Sequence, residues 1–306
     1  MKAQLVFLYP GQGSQQVGMG RDLYERHREA RRIFDRADRI LGSSLSRLCF
    51  EGPERELNQD LAAQLAVFTL GCALTAVLEK KNILPEAASG YSSGFYAAAY
   101  AAGCFDFGTG LRIVKRAGEI LLEEARKTKG CMAVIFGLSR EEIEGICSET
   151  EGADVAILNT ARQTVISGRE PAVKKVMAVA LKEGALDAYT LSLSAAYHSS
   201  FMAPAGSLLL KELKDIPVRR PEIPLFSYHT LKRVNGAASL KMIMATQLSR
   251  PVLWADLIKT IHRPGRLFVE IGSGDVIART VRWIDRNMEI VSVSDTQDIL
   301  KLWGRL

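Results

Sequence analysis

The sequence predicts an α/β protein that has one main body and a smaller inserted unit. Its 306 residues are 47% hydrophobic, which is enough to bury a large core, and the length lies between one large domain and two ordinary ones. The first apolar run, residues 4–10 (QLVFLYP), predicts a buried strand that leads into the loop PGQGSQ. Ligand sites of α/β sheets lie in such loops after strand ends.

The predicted elements of the main body lie on both sides of the insertion. Helical periodicity covers residues 23–41 and 61–80, and the alanine-rich segment 94–103 predicts a helix that ends at Gly103. After the insertion, the pattern predicts helices at 201–213 and 251–261 and strands at 223–228 and 266–272. The main body therefore comprises residues 1–129 and 195–306.

The inserted unit occupies residues 130–194. Strands are predicted at 131–137, twice within 155–168, and at 185–194. A helix at 139–150 opens with the capping box Ser139-x-x-Glu142, and a second helix at 170–184 has proline in its first turn and a closing glycine. The order βαββαβ is that of a ferredoxin-like unit.

Charge and cysteine content argue against several classes of protein. The formal net charge is +6 without a dense block of Lys and Arg, which disfavours nucleic acid and favours an acidic partner. Because no signal peptide and no run of about 18 uninterrupted apolar residues is found, we expect a soluble cytoplasmic protein without membrane contact. Five scattered cysteines without a C-x-x-C pair predict buried free thiols, with no metal site. No glycine cluster follows the dinucleotide pattern.

The segment GYSSG, residues 90–94, has the G-x-S-x-G spacing of a sharp strand-to-helix turn that exposes a serine. Ser92 is therefore a candidate nucleophile, and it needs a base within hydrogen-bond reach. Of the four histidines, His27 and His262 are expected on the surface, whereas His198 lies where the inserted unit ends. The candidate pair is Ser92 and His198.

Seven blocks in order and spacing resemble the malonyl-CoA:acyl-carrier-protein transacylases and the acyltransferase domains of polyketide synthases. These blocks are YPGQGSQQVGMG, GYSSG, GCMAVIFGL, ILNTARQTVISG, YHSSFM, QLSRPVLW and FVEIGSGDV, and they cover nearly the whole chain. The resemblance implies an α/β-hydrolase-like large domain with a parallel sheet, interrupted by the ferredoxin-like small domain.

The resemblance also implies catalytic roles. Ser92 would attack a thioester carbonyl, and His198 would take the serine proton and return it to a thiol. Backbone N–H groups of Gln12 and Ser93 would form the oxyanion hole. The carbonyl of Gln247 would orient the histidine, with no acidic third member. An acyl-CoA or a phosphopantetheine thioester would be the substrate, with no bound cofactor.

The implied substrate contacts are Tyr91, Ala117, Asn159 and Gln163. An acyl carrier protein is the implied partner, and the arginines of the C-terminal third, Arg279 and Arg282 among them, are the expected contact with this acidic protein. Family members are mostly monomeric, and we expect the same here.

The chain departs from the family where malonyl is recognised. Relatives that use malonyl carry an arginine before the glycine at position 118, where it pairs with the substrate carboxylate; this chain has Ala117. Arg116 lies one residue earlier, about 100° away on a helix. Tyr91 and Phe95 replace the family's usual His and Glu in and just after the strand-to-helix turn at residues 90–94, which we call the elbow. We therefore predict that malonyl is a poor substrate and that a neutral acyl group is preferred.

Three alternatives remain at this point. The first is an acyl-carrier-protein hydrolase that clears stalled acyl groups, which shares the fold and often lacks the carboxylate arginine. The second is a malonyl transferase, or a malonate decarboxylase transferase subunit, that uses Arg116. The third, a catalytically idle carrier-binding module, is disfavoured because nucleophile, base and oxyanion loop are all retained.

Overall fold

A computed structural model describes residues 4–191, 193 and 195–306. The strands are β1 Gln4–Tyr9, β2 Ala87–Gly90, β3 Gly130–Phe136, β4 Ala153–Thr160, β5 Gln163–Arg169, β6 Asp187–Thr190, β7 Arg266–Ile271 and β8 Ile290–Val293. The first helices are α1 Arg21–Arg26, α2 Arg28–Leu41, α3 Leu45–Glu51, α4 Glu54–Leu57, α5 Asp60–Lys80, α6 Gly94–Ala101 and α7 Phe107–Thr128. The others are α8 Arg140–Ser148, α9 Glu170–Lys182, α10 Ala203–Leu213, α11 Ala237–Thr246, α12 Trp254–Ile261, α13 Val276–Ile284 and α14 Thr296–Arg305. Short 3-10 turns cover Ser200–Met202 and Gln247–Ser249.

The large domain is built on a parallel sheet with the strand order β2-β1-β7-β8. β1 lies inside the sheet, and its residues after Gln4 are all buried. This burial on both faces explains why β1 is continuously apolar instead of alternating. The elbow serine and the loop after β1 both follow the carboxyl ends of neighbouring parallel strands, so they meet at one edge of the sheet.

Helix α5 is the longest apolar element of the core. It packs against α2, α6 and α7. It is long and apolar enough to cross a membrane, but most of it is buried inside the protein. Its apolar character is therefore explained by its central position among other helices.

The second sheet is antiparallel, with the strand order β4-β5-β3-β6. Numbered within the unit, this is the order 2-3-1-4 of a ferredoxin-like βαββαβ fold, with α8 and α9 packed on β3 to β5. The capping box of α8 is present, because Ser139 Oγ accepts from Glu142 N and Glu142 Oε2 accepts from Ser139 N. The predicted α/β architecture with an inserted ferredoxin-like unit is confirmed.

The exact boundaries of the insertion stay a prediction. β3 begins at Gly130, one residue before the predicted strand, and β6 ends at Thr190. The predicted final strand ran to residue 194, and Ser192 and Ser194 lie outside the described residues.

Three local predictions were wrong, and a fourth, that all cysteines are buried, holds only in part. The helix predicted at 23–41 is broken at His27, whose backbone is extended and whose ring Nε2 lies 3.0 Å from Thr296 Oγ1. The strand predicted at 223–228 makes only isolated bridges, one of them parallel between Ala88 and Leu225. His27 and His262 are half-buried instead of lying on the surface. The cysteines are unpaired as expected, but Cys131 is only half-buried.

Candidate active site

Ser92 lies in the tight turn between β2 and α6. Its backbone has φ +51°, a left-handed conformation that is strained for a residue with a side chain. The flanking glycines permit the turn: a Cβ on Gly90 would lie 2.1 Å from the Gly94 carbonyl carbon, and one on Gly94 would lie 2.1 Å from Tyr9 O. The two glycines of the motif are therefore required by close backbone approach.

His198 lies within hydrogen-bond reach of the serine. Ser92 Oγ is 2.7 Å from His198 Nε2. On the other side of the ring, Nδ1 lies 3.1 Å from the carbonyl oxygens of Gln247 and Arg250. Because carbonyl oxygens only accept, Nδ1 must carry the proton, which leaves Nε2 free to accept from the serine hydroxyl. Two carbonyls, one of them from the expected Gln247, thus fix the tautomer that a base needs.

Burial sets the charge of this histidine. His198 is only 7% exposed, and burial lowers the pKa of its imidazole below the usual range, opposed by hydrogen bonds to the carbonyls of Arg250 and Gln247. The ring is therefore neutral near pH 7 and able to accept a proton.

The loop after β1 is pressed against the elbow. A Cβ on Gly11 would lie 2.5 Å from Tyr91 O and 3.0 Å from Ser93 Oγ, so only glycine fits there. The backbone N–H of Gln12 donates to Ser93 Oγ at 3.0 Å. Ser93 itself precedes the first turn of α6, where the helix dipole favours negative charge. The structure thus brings Gln12 and Ser93 together beside Ser92.

Ser92 and His198 line a cavity of about 640 Å³, a volume typical of small-ligand sites. Strands β3 to β6 of the second sheet and the segments that directly follow β1 and β2 contribute to its wall. Tyr91, Asn159 and Gln163 line it, and Tyr91 OH donates to Asn159 Oδ1 at 2.7 Å. The Tyr91 ring also packs edge-on against Trp254. Tyr91 is therefore held by contacts on both its ring and its hydroxyl.

Neither Ala117 nor Arg116 lines the cavity. Ala117 is fully buried and does not itself line the cavity, whereas Leu121, one turn later on α7, and Gln64 of α5 do. Arg116 points to Glu212, with 2.6 Å between Nη2 and Oε1, and also to Glu119. Among the cavity-lining residues that the structure describes, Arg279 is the single lysine or arginine.

Arg279 lies on α13 with other exposed residues of the cavity mouth. Val276, Thr280 and Trp283 of the same helix also line the opening, and Trp283 is 62% exposed. The Arg279 side chain is 62% exposed and pairs with Asp275 at 2.8 Å. This cation is therefore at the surface and not in the interior of the cavity.

One site feature was missed by sequence reasoning. Asp60, the first residue of α5, accepts from Gln12 Nε2 at 2.5 Å and from Tyr197 OH at 2.6 Å. It thereby joins the loop after β1 to the residue before His198. Neither residue spacing nor residue type marks this contact, because Asp60 and Tyr197 are 137 positions apart.

With this geometry in place, comparisons with known proteins decide the family. The sequence profile of the acyl transferase domain family matches residues 6–289. The chain belongs to this acyl transferase family. It is 33% identical to the malonyl CoA-acyl carrier protein transacylase of Bacillus subtilis over 302 residues, which cover 97% of this chain and 95% of the relative. The family resemblance found in the sequence is confirmed.

Other relatives of this acyltransferase come from polyketide biosynthesis and from solved structures. Polyketide biosynthesis protein PksE of Bacillus subtilis is 34% identical over 293 residues, covering 93% of this chain and 37% of that protein. The structure of the malonyl CoA-acyl carrier protein transacylase from Coxiella burnetii has a TM-score of 0.96 at 32% identity, covering 99% of this chain and 98% of that one. A malonyl-transacylase in complex with a type II PKS acyl-carrier protein has a TM-score of 0.96 at 29% identity, covering 99% and 100%.

Proposed function

We propose that this acyltransferase moves a neutral, non-malonyl acyl group between thioesters of CoA and acyl carrier protein through an acyl-Ser92 intermediate. The observation that carries the proposal is the interior of the cavity: Ser92 and His198 are 2.7 Å apart, while the single lysine or arginine among its described lining residues is the exposed Arg279. A carboxylate buried there would lack a cationic partner, which is costly.

In the first half-reaction, Ser92 Oγ attacks the thioester carbonyl carbon while its proton moves to His198 Nε2. The carbonyl oxygen becomes an oxyanion, which the N–H groups of Gln12 and Ser93 would stabilise. Because the Gln12 N–H donates to Ser93 Oγ at rest, this hydroxyl must rotate away first. Collapse breaks the carbon–sulfur bond, and the thiolate takes the proton from His198.

In the second half-reaction, the phosphopantetheine thiol of a carrier protein gives its proton to His198 and attacks the ester carbonyl of acyl-Ser92. Collapse of this second tetrahedral species breaks the carbon–oxygen bond, and Ser92 recovers its proton from the histidine. The net reaction converts one thioester and one thiol into another thioester and thiol, so its atoms balance without a cofactor or a metal. Water must be kept from the ester until the thiol arrives.

The carrier protein would approach over α13, where the cavity opens. Arg279 and Arg282 are exposed on this helix beside the exposed Trp283, and a cationic surface with an aromatic side chain suits an acidic partner. The relative solved with an acyl-carrier protein supports a carrier as the partner. We propose that the protein acts as a cytoplasmic monomer.

A malonyl transferase is the second candidate, and the relatives that are malonyl CoA-acyl carrier protein transacylases favour it. It would need a cation for the malonyl carboxylate. Arg116 would have to leave both Glu212 and Glu119 and turn to another face of α7, which makes it a poor substitute.

The test is the intact mass of the protein after brief incubation with acetyl-, butyryl- or malonyl-CoA, with Ser92→Ala as the control. The proposal expects a persistent neutral acyl adduct that the Ser92→Ala variant lacks, and little malonyl adduct. Malonyl as the best-loaded group would establish the second candidate. A neutral adduct that decays in water within the assay would instead support the acyl-carrier-protein hydrolase.

A further inference from the structure

A chain of hydrogen bonds runs from Asp60 through two glutamines to the wall beside Ala117. Asp60 Oδ1 accepts from Gln12 Nε2, and Gln12 Oε1 accepts from Gln64 Nε2 at 3.1 Å. Gln64 Oε1 then lies 3.4 Å from the place where a Cβ on Gly118 would be, so it faces α7. Gln12 and Gln64 both line the cavity.

The carboxylate of Asp60 determines which group donates and which accepts in each of these hydrogen bonds. An ionised carboxylate only accepts hydrogen bonds, so the amide end of Gln12 that faces Asp60 must be its NH₂ group. The oxygen of Gln12 then faces Gln64 and receives its NH₂ group. The oxygen of Gln64 is left pointing at α7, next to Gly118.

The other oxygen of Asp60 is occupied by Tyr197, whose hydroxyl must likewise donate. Burial and the neighbouring Asp60 raise the pKa of the Tyr197 hydroxyl, which keeps this donor protonated. Asp60 is half-buried, and its contacts are to an amide and a hydroxyl, neither of which neutralises its charge. A negative charge therefore lies directly behind two cavity-lining residues, Gln12 and Tyr197, and the Gln64 oxygen faces α7.

We propose that Asp60 is a specificity-determining positioning residue that excludes acyl groups bearing a carboxylate. It acts in two ways: its charge repels a substrate anion, and it orients Gln12 and Gln64 so that Gln64 presents an oxygen, and not an NH₂ group, at the part of the cavity wall beside α7. Neutral acyl groups are unaffected by either. The inference rests on the proposed function, because it explains why a neutral acyl group is preferred.

The variant Asp60→Asn tests this directly. Asparagine keeps the shape but removes the charge, and its NH₂ group can face Gln12, which lets both glutamine amides reverse and present a donor to α7. The measurement is kcat/KM for acylation of Ser92 by butyryl-CoA and by malonyl-CoA. We expect the butyryl-over-malonyl ratio to fall on the order of tenfold, mainly through faster malonyl loading.

Glu56→Gln is the matched control, because Glu56 is an exposed acid on the nearby α4. Its ratio should equal that of the unchanged protein. A ratio in Asp60→Asn within twofold of the unchanged protein, or an equal loss for both substrates, overturns the inference. If Asp60→Asn does not fold, Gln64→Met removes the acceptor instead; a lower ratio supports the inference, and an unchanged ratio overturns it.

The same data separate the two proposals. An unchanged protein that loads malonyl faster than butyryl contradicts the proposed neutral specificity before any variant is compared. If the unchanged protein prefers butyryl and Asp60→Asn has the same butyryl-over-malonyl ratio, only the role of Asp60 is overturned.

Discussion

Replacing Ala117 by arginine should shift the substrate preference towards malonyl. Ala117 is fully buried on α7, and Leu121, one turn further along the helix, lines the cavity. A long side chain at position 117 can therefore extend along α7 past Gln64 towards the acyl site. There, a guanidinium would meet a substrate carboxylate with two parallel hydrogen bonds.

The change in the malonyl-over-butyryl ratio follows from the new ion pair alone. A hydrogen bond to a charged group contributes about 1.5–3 kcal/mol, so a bidentate pair gives roughly 3 kcal/mol or more of malonyl binding. Against this stands overpacking of the core, which costs about 1–3 kcal/mol of folding stability but acts equally on every substrate. Each 1.4 kcal/mol changes a ratio tenfold, so roughly 3 kcal/mol from the ion pair should raise the malonyl-over-butyryl ratio of kcat/KM about 100-fold.

The assay is kcat/KM for Ser92 acylation by malonyl-CoA and butyryl-CoA, with thermal unfolding to follow stability. Ala117→Met is the matched control, because it adds a long side chain without a charge. Methionine should lower the stability and the rates for both substrates without favouring malonyl. If Ala117→Arg folds and its malonyl-over-butyryl ratio equals that of Ala117→Met, the reasoning from the missing arginine is refuted.

Three further results are expected. Because burial lowers the pKa of His198, acylation kcat/KM should fall with decreasing pH only below the usual histidine value of about 6.5; a midpoint at or above that value would contradict the buried neutral base. Reversing Arg279 and Arg282 to Glu should lower kcat/KM for an acidic carrier protein about tenfold at low salt, with a smaller loss at high salt, whereas equal rates would place the carrier elsewhere. Gly94→Ala should lower the free energy of unfolding by about 1–3 kcal/mol, because the new Cβ would lie 2.1 Å from Tyr9 O. A denaturant titration measures this, and an unchanged midpoint would mean that the elbow relaxes without cost.

Features that depend on neighbouring residues could be predicted from the sequence. The inserted unit was predicted from periodicity and from the capping box of Ser139 and Glu142, because these signals act within a few residues. The elbow was predicted because Gly90 and Gly94 flank Ser92 at a spacing that only a tight turn requires. His198 was placed beside Ser92 through its position at the end of the insertion and the family resemblance.

Features that depend on distant contacts could not be predicted. The break at His27 is accompanied by a contact with Thr296, which lies 269 residues further along the chain. The Asp60 contacts bridge 48 residues to Gln12 and 137 to Tyr197, and no local pattern marks them. The segment 223–228 is apolar because it is covered by the core, where Leu225 is fully buried, and not because it forms a regular strand. In each case tertiary packing determines the structure.

The central claim, transfer of a neutral acyl group through Ser92, is tested most directly by competition. The protein is mixed with equal concentrations of butyryl-CoA and malonyl-CoA, quenched within the first turnover, and the masses of the Ser92 adducts are compared. We predict that the butyryl adduct dominates and that it disappears on addition of a phosphopantetheinylated carrier protein, which gains the same mass. A dominant malonyl adduct, or a butyryl group lost to water and not to the carrier, would contradict the claim.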